Sequence, residues 1–536
     1  MLVPLFTAAQ DQPNPPNTIT TLPTEILVEI LKELEYSDVL RVRRTCKLLH
    51  QATTARPIWE NFFLECKESP PGNLKLEKPL YMYSSEELER LVLVSKSTEV
   101  GWHTRDNVPS RQRSISMEDE PLYRRVYLVP GGRWLLVFRT EGEISYYDLD
   151  SADYEKKKIL VPSYIRPARW NTAFFTVDAS DRLFSQSFKL AQYVREDGSP
   201  EGSVYRVIKI WNIASVLEGH VVTGLEATCL KTILVDLEVE DVNVPLSMRD
   251  RTLAFSVSPP RSSLRGRRYI CVIEWPSVKD GSLDYPRRVL YTIDNAREIH
   301  ILPNNRVAAI AAPELLVYDY SSLEYMDHIP QRRLDHFELT PPMKCLLWLT
   351  PSNPMVSTPY EAQGGVHFFV VTKQTAQSIF IPDEFGAPGS SSNLTLDNFG
   401  TPGFSSPGLL RVQTLMHVPR HKYRDPFTAR YSLGRSRAVL HYPNHETTSF
   451  EFFLLHQEQM FAPDYIPVVK VIPCKVRSKR QQEQAINPEP SPSLSAAWEY
   501  EMPYRNLLLD EGTGRVVVPF EKRFGLVDFA LVHKTK

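Results

Sequence analysis

The sequence predicts an α+β, multidomain protein: a small module of three short helices, then a large all-β repeat domain. Three observations carry this. Between residues 20 and 50 apolar residues recur every four positions, and from about Leu122 onward they fall in short strand-like runs separated by turn residues. The second pattern returns about seven times. A length of 536 residues also exceeds what one ordinary core organises.

The helical part comes first. Leu22, Ile26, Ile30 and Leu34 are spaced by four, and Leu27 and Leu31 widen the stripe, which describes one apolar face of a helix. Pro23 suits a first helical turn, where its missing N–H costs nothing, and Glu25 suits the positive end of the helix dipole. Ser37 reads as the N-cap of a second helix carrying Val39, Leu40 and Val42. A third helix carries Cys46, Leu48 and Leu49, and Pro57 restarts a turn that presents Ile58, Trp59, Phe62 and Phe63. Ser84-Ser85-Glu86-Glu87 is a capping box opening a connector helix with Leu88, Leu91 and Val92 on its apolar side.

Two tracts bury nothing in this reading. Residues 1–18 form a leader whose polar, Pro-rich part, 10–18, is expected to be disordered. Residues 104–120 are charged and apolar-poor, and are expected to be flexible.

The β part opens with Trp134–Phe138 after Pro130-Gly131-Gly132, followed by a turn at Glu141-Gly142 and Ile144–Tyr147. The same strand–turn–strand sense returns around Asn304-Asn305 and around Glu511–Gly514. A strand-end signature accompanies it: Tyr147-Asp148, Trp211-Asn212, Tyr318-Asp319 and Val527-Asp528, with a weaker member at Glu274. Val366–Ile381 and Ala438–Leu455 are further strand-rich stretches. Gly386–Gly408 and Val476–Ala497 read as loops. Counted this way the units number about seven, at roughly the 40–60 residues of a four-stranded blade, and they predict a WD-like, propeller-like domain over 122–536.

Composition narrows the function classes. Hydrophobic residues at 42% and charged residues at 24% are those of a globular protein, and a net charge of −2 supplies no global field for nucleic acid or an anionic membrane. No apolar run reaches the ~18–20 residues of a membrane span. Met1–Ala9 lacks the basic flank of a signal peptide. The six cysteines (Cys46, Cys66, Cys229, Cys271, Cys345 and Cys474) are scattered, which fits reduced core residues in an intracellular protein of cytoplasm or nucleus.

Residues 19–65 resemble the F-box. Leu22, Pro23, Glu25, Ile26, Leu27, Ile30, Leu34, Asp38, Val39, Leu40, Val42, Cys46, Lys47, Ile58 and Trp59 fall at family spacing, with Thr45 and Leu49 as departures. The resemblance implies a three-helix module that docks on the Skp-type adaptor of a cullin–RING (SCF) ubiquitin ligase. It implies an adaptor-binding set of Leu22, Pro23, Ile26, Leu27, Ile30, Leu34, Val39, Leu40, Val42 and Trp59. The expected order is then the leader at 1–18, the F-box at 19–65, a linker with connector helix and flexible tract at 66–121, and the propeller-like domain at 122–536. The chain would be a non-catalytic substrate receptor, holding the adaptor and through it cullin by the F-box and an unknown target protein by the propeller. The alternatives are a propeller scaffold outside any ligase and, less favoured, an enzyme with a site in the propeller channel.

Chemical motifs are weak. Gly434-Arg435-Ser436-Arg437-Ala438 lacks the closing glycine of a nucleophile elbow, and Gly512-Thr513-Gly514 lacks the third glycine of a dinucleotide loop. His417 and His421, like His441 and His445, are four apart in a β-rich region, where that spacing does not share a face. No cofactor, metal, nucleic-acid or membrane partner is expected. Arg261, Arg265, Arg267 and Arg268, and Lys475, Arg477, Lys479 and Arg480, read as solvated loops, with a nuclear-import signal at the second or an acidic partner site at either as the alternatives, and Arg41, Arg43, Arg44 and Lys47 as the outer face of the small helices. Ser114 is a candidate phosphate acceptor in the flexible tract.

Overall fold

The four-residue periodicity and the strand–turn–strand units become separate bodies. The computed structural model describes residues 19, 22–68, 74–102, 109–117, 124–139, 141–164, 174–178, 186–197, 204–235, 244–257, 268–292, 296, 298–311, 314–327, 339–347, 355–362, 364–371, 375–383, 394–395, 411–417, 430–434, 437–443, 448–454, 471–476, 507–520 and 523–532. The leader, most of the two loop tracts, and Arg261, Arg265, Arg267, Arg477, Lys479 and Arg480 lie outside the described residues. The chain divides into two compact units, Met1–Ser69 with Tyr83–Leu93, and Pro70–Met82 with Val94–Lys536.

The first unit is helical: α1 (Thr24–Lys32), α2 (Tyr36–Val42), α3 (Lys47–Thr53), α4 (Arg56–Glu68) and the opening turns of α5 (Ser85–Trp102). Its core holds Leu27, Val28, Leu31, Val39, Leu49, Ala52, Ile58, Trp59, Phe62 and Phe63. The capping box at α5 forms as read: Ser84 N–H donates to Glu87 Oε2 at 2.8 Å and Glu87 N–H to Ser84 Oγ at 3.2 Å. Three local readings need correction. Pro23 occupies the N-cap rather than the first turn of α1. Glu35, not Ser37, is the N-cap of α2, without a side-chain cap bond. Arg43 does not face outward. Its Nη1 pairs with Glu89 at 2.5 Å, its Nε donates to Thr53 Oγ1 at 3.1 Å, and its guanidinium lies 5.3 Å from the Trp59 ring centre.

Among the described residues the second unit contains, in chain order, β1 (Arg111–Ser116) and then seven successive groups of strands. Blade 1 is β2 (Arg124–Leu128), β3 (Trp134–Arg139), β4 (Ile144–Asp148) and β5 (Lys158–Val161). Blade 2 is β6 (Phe174–Val177), β7 (Ser187–Asp197), β8 (Val204–Glu218) and β9 (Val221–Val235). Blade 3 is β10 (Leu246–Arg249), β11 (Thr252–Val257), β12 (Arg268–Glu274) and β13 (Arg288–Thr292). Blade 4 is β14 (Glu298–Leu302), β15 (Arg306–Ala311), β16 (Glu314–Asp319) and β17 (Lys344–Leu347). Blade 5 is β18 (Met355–Val356), β19 (Tyr360–Ala362), β20 (Gly365–Val371), β21 (Thr375–Pro382) and β23 (Arg411–His417). A short β22 (Leu394–Thr395), from the Gly/Ser/Pro tract, pairs in parallel with β17. Blade 6 is β24 (Arg430–Leu433), β25 (Arg437–Pro443), β26 (Thr448–Leu454) and β27 (Val471–Val476). Blade 7 is β28 (Leu508–Asp510), β29 (Arg515–Pro519), β30 (Arg523–Asp528) and β1.

Neighbouring blades pack through shared apolar clusters. Leu136, Phe138 and Tyr146 of blade 1 meet Leu190, Ile213 and Leu225 of blade 2, and Ile208 and Ile210 of blade 2 meet Phe255 and Cys271 of blade 3. Ile270 and Leu290 meet Ile299 and Val307, Val317 meets Phe368 and Ile379, and Val439 of blade 6 joins Val516 of blade 7. Ile115, Phe524 and Leu526 of blade 7 pack on Leu135, Val137 and Tyr147 of blade 1, which closes the ring. Because blades are covered on both sides, their second strands do not alternate: Trp134–Phe138 is buried at every position, as are Arg306–Ala311 and Arg515–Pro519. The period-two reading holds poorly in these strands for that reason.

The acidic strand ends prove to be half of a cross-strand pair. Asp148 accepts from Arg133 Nε and Nη2 at 3.0 and 2.9 Å, Arg306 stands in register opposite Asp319, and Arg515 Nε donates to Asp528 Oδ1 at 2.5 Å. Each arginine follows a tight turn requiring the left-handed region, at Gly131-Gly132, at Asn304 and Asn305 (φ 60° and 56°) and at Gly514. Asn212 departs from the signature, since it lies in the middle of β8.

The expected flexible tract is also corrected. Residues 104–108 and 118–120 lie outside the described residues, but Arg111–Ser116 is β1, paired antiparallel with β30 along its whole length. Ser114 therefore sits in a paired strand opposite Gly525. The propeller unit begins before residue 122, and α5 continues to Trp102, well beyond the apolar stripe that announced it.

Candidate functional site

Helix α1 carries two apolar faces. Leu27, Val28 and Leu31 point into the helical unit. Ile26 and Ile30, four apart on α1, remain 48% and 40% exposed, and Leu22, just ahead of the helix, is 37% exposed. Ile19, also ahead of the helix, is 52% exposed, and the N-cap Pro23 is exposed. Ile19, Leu22, Ile26 and Ile30 are thus apolar side chains left open at and just ahead of the start of α1.

The ten residues grouped from the sequence thus sort into three sets. Leu22, Pro23, Ile26 and Ile30 are exposed, and Leu34, Leu40 and Val42 are half-buried. Leu27, Val39 and Trp59 are buried inside the unit. The Trp59 indole N–H donates to Thr53 O at 2.8 Å, and its ring meets Phe62 edge-on at 5.7 Å, so it braces α3 against α4. Ile19 is the residue that the sequence reading missed. The signal was its spacing to Leu22, obscured by the β-branched, polar run around it. The departures from the family pattern are benign. Thr45 is exposed, its Oγ1 donating to Val42 O at 2.8 Å, and Leu49 fills a buried position.

The model of the F-box-like family matches residues 19–65. Residues 19–65 are an F-box-like domain. The matched F-box-like segment is the one that carries these open apolar residues. No match was found among curated proteins. Among solved structures the chain is similar to the WD40 domain of SCAP from fission yeast, at 10% identity and a TM-score of 0.35, over 76% of this chain and 85% of that one. It is also similar to the Cps50 (Swd1) β-propeller domain of Myceliophteria thermophila, at 9% identity and a TM-score of 0.39, over 78% of this chain and 99% of that one. The propeller itself rests on the sheet order and blade packing described above. An F-box-like domain ahead of a propeller is an architecture of protein–protein interaction.

Other motifs weighed in the sequence have structural explanations or fall outside view. Gly434 N–H donates to Arg437 O at 2.7 Å in the turn between β24 and β25, and Arg435 and Ser436 lie outside the described residues. Gly512–Gly514 belongs to the β28–β29 turn, where Asp510 holds Thr513 N–H at 3.0 Å. His421 and His445 lie outside the described residues, as do the side chains of His417, His441, Arg268 and Lys475. Among the described residues no cluster of His, Cys, Asp or Glu is placed to hold a metal, and no helix is long and apolar enough to cross a membrane.

Proposed function

We propose that this chain is the substrate-recognition subunit of an SCF-type ubiquitin ligase. In this reading the F-box-like domain holds the Skp-type adaptor and, through it, cullin, and the propeller holds a target protein. The observation that carries it is the set of open apolar residues Ile19, Leu22, Ile26 and Ile30 at and just ahead of the first helix of the matched segment. Roughly half of each of these side chains is already covered, so sealing the rest contributes on the order of 1 kcal/mol apiece, one part of a larger interface. The chain supplies proximity rather than chemistry, with the transfer reaction on other subunits, in the cytoplasm or nucleus.

Ile26→Ala and Leu27→Ala separate docking from folding. Ile26→Ala is expected to weaken adaptor binding about tenfold, equivalent to ~1.4 kcal/mol, with the unfolding transition unchanged. Leu27→Ala empties a buried site and is expected to destabilise the domain by about 2–5 kcal/mol. Adaptor affinity by calorimetry and thermal unfolding read the two effects. Unaltered adaptor affinity in a Leu22→Ala/Ile26→Ala/Ile30→Ala variant would rule the face out, and adaptor recovery without cullin would favour a scaffold over a ligase receptor.

A further inference from the structure

In every blade the turn between the first and second strands lies at the same end as the turn after the third. Two stretches of the chain's own backbone pack at that end. In residues 74–82, Glu77 pairs with Arg133 at 2.7 Å, and Lys78 Nζ donates to His220 O at 2.5 Å. In residues 94–102, Ser97 Oγ accepts from Val532 N–H at 3.3 Å, Glu99 pairs with Arg437, and Trp102 stacks on Phe529 at 4.1 Å. These partners belong to blades 1, 2, 6 and 7.

The border of blades 3 and 4 at this end carries an arginine held in an unusual way. Arg288, first residue of β13, lies with its guanidinium carbon 4.4 Å from the Tyr325 ring centre and 5.7 Å from that of Tyr320. Tyr320 is buried and hydrogen-bonded to Thr252, whereas Tyr325 is 47% exposed. Arg288 is half-buried, its Nε is enclosed without a hydrogen-bond partner, and among the described residues no carboxylate forms an ion pair with it. The carboxylates nearby are engaged. Glu274 accepts from the Tyr325 hydroxyl at 3.3 Å, and Glu361 pairs with Arg249.

Ring contacts orient a guanidinium but leave its charge without a counterion. A planar fork fixed in advance loses little rotamer freedom on binding, and its free edge matches the two oxygens of a carboxylate. We propose that Arg288, braced by Tyr320 and Tyr325, anchors a carboxylate side chain in an extended acidic segment of the target protein, with the exposed Tyr325 ring packing beside it. The proposal rests on the propeller being the target-binding part; it does not depend on adaptor docking.

The test uses the full chain and a fluorescein-labelled hexaglutamate peptide, read by anisotropy at low salt. Arg288→Gln is expected to weaken binding at least tenfold, and Tyr325→Ala several-fold. Arg251→Gln, an exposed arginine at the β10–β11 turn, should change it less than twofold. Arg288→Lys keeps the charge without the fork and should also bind more weakly while unfolding at the wild-type temperature. Equal binding by wild type and Arg288→Gln, no binding by wild type, or an equal loss in Arg251→Gln would each overturn the site. Arg288-dependent binding of a phosphoserine peptide alone would overturn its assignment to carboxylate. Adaptor capture by the same variants is expected to be unchanged, so failure of the F-box reading and failure of this one give different results.

Discussion

Replacing Asp528 with asparagine should open the ring at its closure. Asp528 ends β30 and faces both neighbours: its Oδ1 accepts from Arg515 Nε on β29 at 2.5 Å, and its Oδ2 from Arg113 Nη2 on β1 at 2.8 Å. All three side chains are buried. Burial alone would raise the Asp528 pKa, but the charges of Arg515 and Arg113 outweigh it and hold the carboxyl below its usual range. An amide leaves two buried guanidiniums with little to neutralise them beyond Asp150, 3.1 Å from Arg515. Breaking a buried pair by removing one partner costs about 3–5 kcal/mol. If that cost falls on detachment of β1, the opened fraction rises by roughly two to three and a half orders of magnitude. Trypsin reads this directly, because Arg111 and Arg113 lie in β1 and cleavage tracks the opened population when reclosing is fast. Wild type should resist cutting at both, and Asp528→Asn should be cut there first. Wild-type cleavage at Arg111 or Arg113 at the rate of a free peptide, or an asparagine variant no more sensitive than wild type, would refute the closure.

Two further outcomes follow from buried groups. Burial lowers the His367 pKa to about 4, so between that value and the ~6.5 of an unfolded chain only the unfolded state takes up the proton. Stability is therefore fully present above pH ~6.5 and falls as the pH drops towards 4; His367→Gln should flatten that part of the urea-midpoint profile, and an unchanged slope would contradict the assignment. Cys46 and Cys229 are exposed while Cys66 and Cys271 are buried, with burial pushing the Cys271 thiol up to about 12. Iodoacetamide should accordingly label Cys46 and Cys229 in the native protein well before Cys271, as mass spectrometry of the digests would show.

The first helix shows how far local pattern reaches. Its period and apolar content are written in Leu22–Leu34, because a helix brings residues four apart together whatever surrounds it. Which apolar side faces inward is not written there. Leu27 and Ile26 are chemically alike neighbours, and only the packing of α1 on α3 and α4 buries one and leaves the other open. The capping box at Ser84 was legible for the same local reason, as was the sense of about seven strand-rich units. The partners of the acidic strand ends were in principle legible too, since each arginine directly follows a turn 13 or 15 residues before its aspartate.

β1 marks the opposite limit. Arg-Gln-Arg-Ser-Ile-Ser has the composition of a solvated tract, and only Ile115 within it favours a strand. It is a strand because Ile115 enters the blade 7–blade 1 core and Arg113 meets a carboxylate 415 positions away in the chain. Such contacts exist only once the ring has closed. Local sequence therefore determined the helices, the turns and the repeat, while the choice of exposed face and the closure of the propeller were decided by tertiary packing, where burial and charge pairing outweigh local preference.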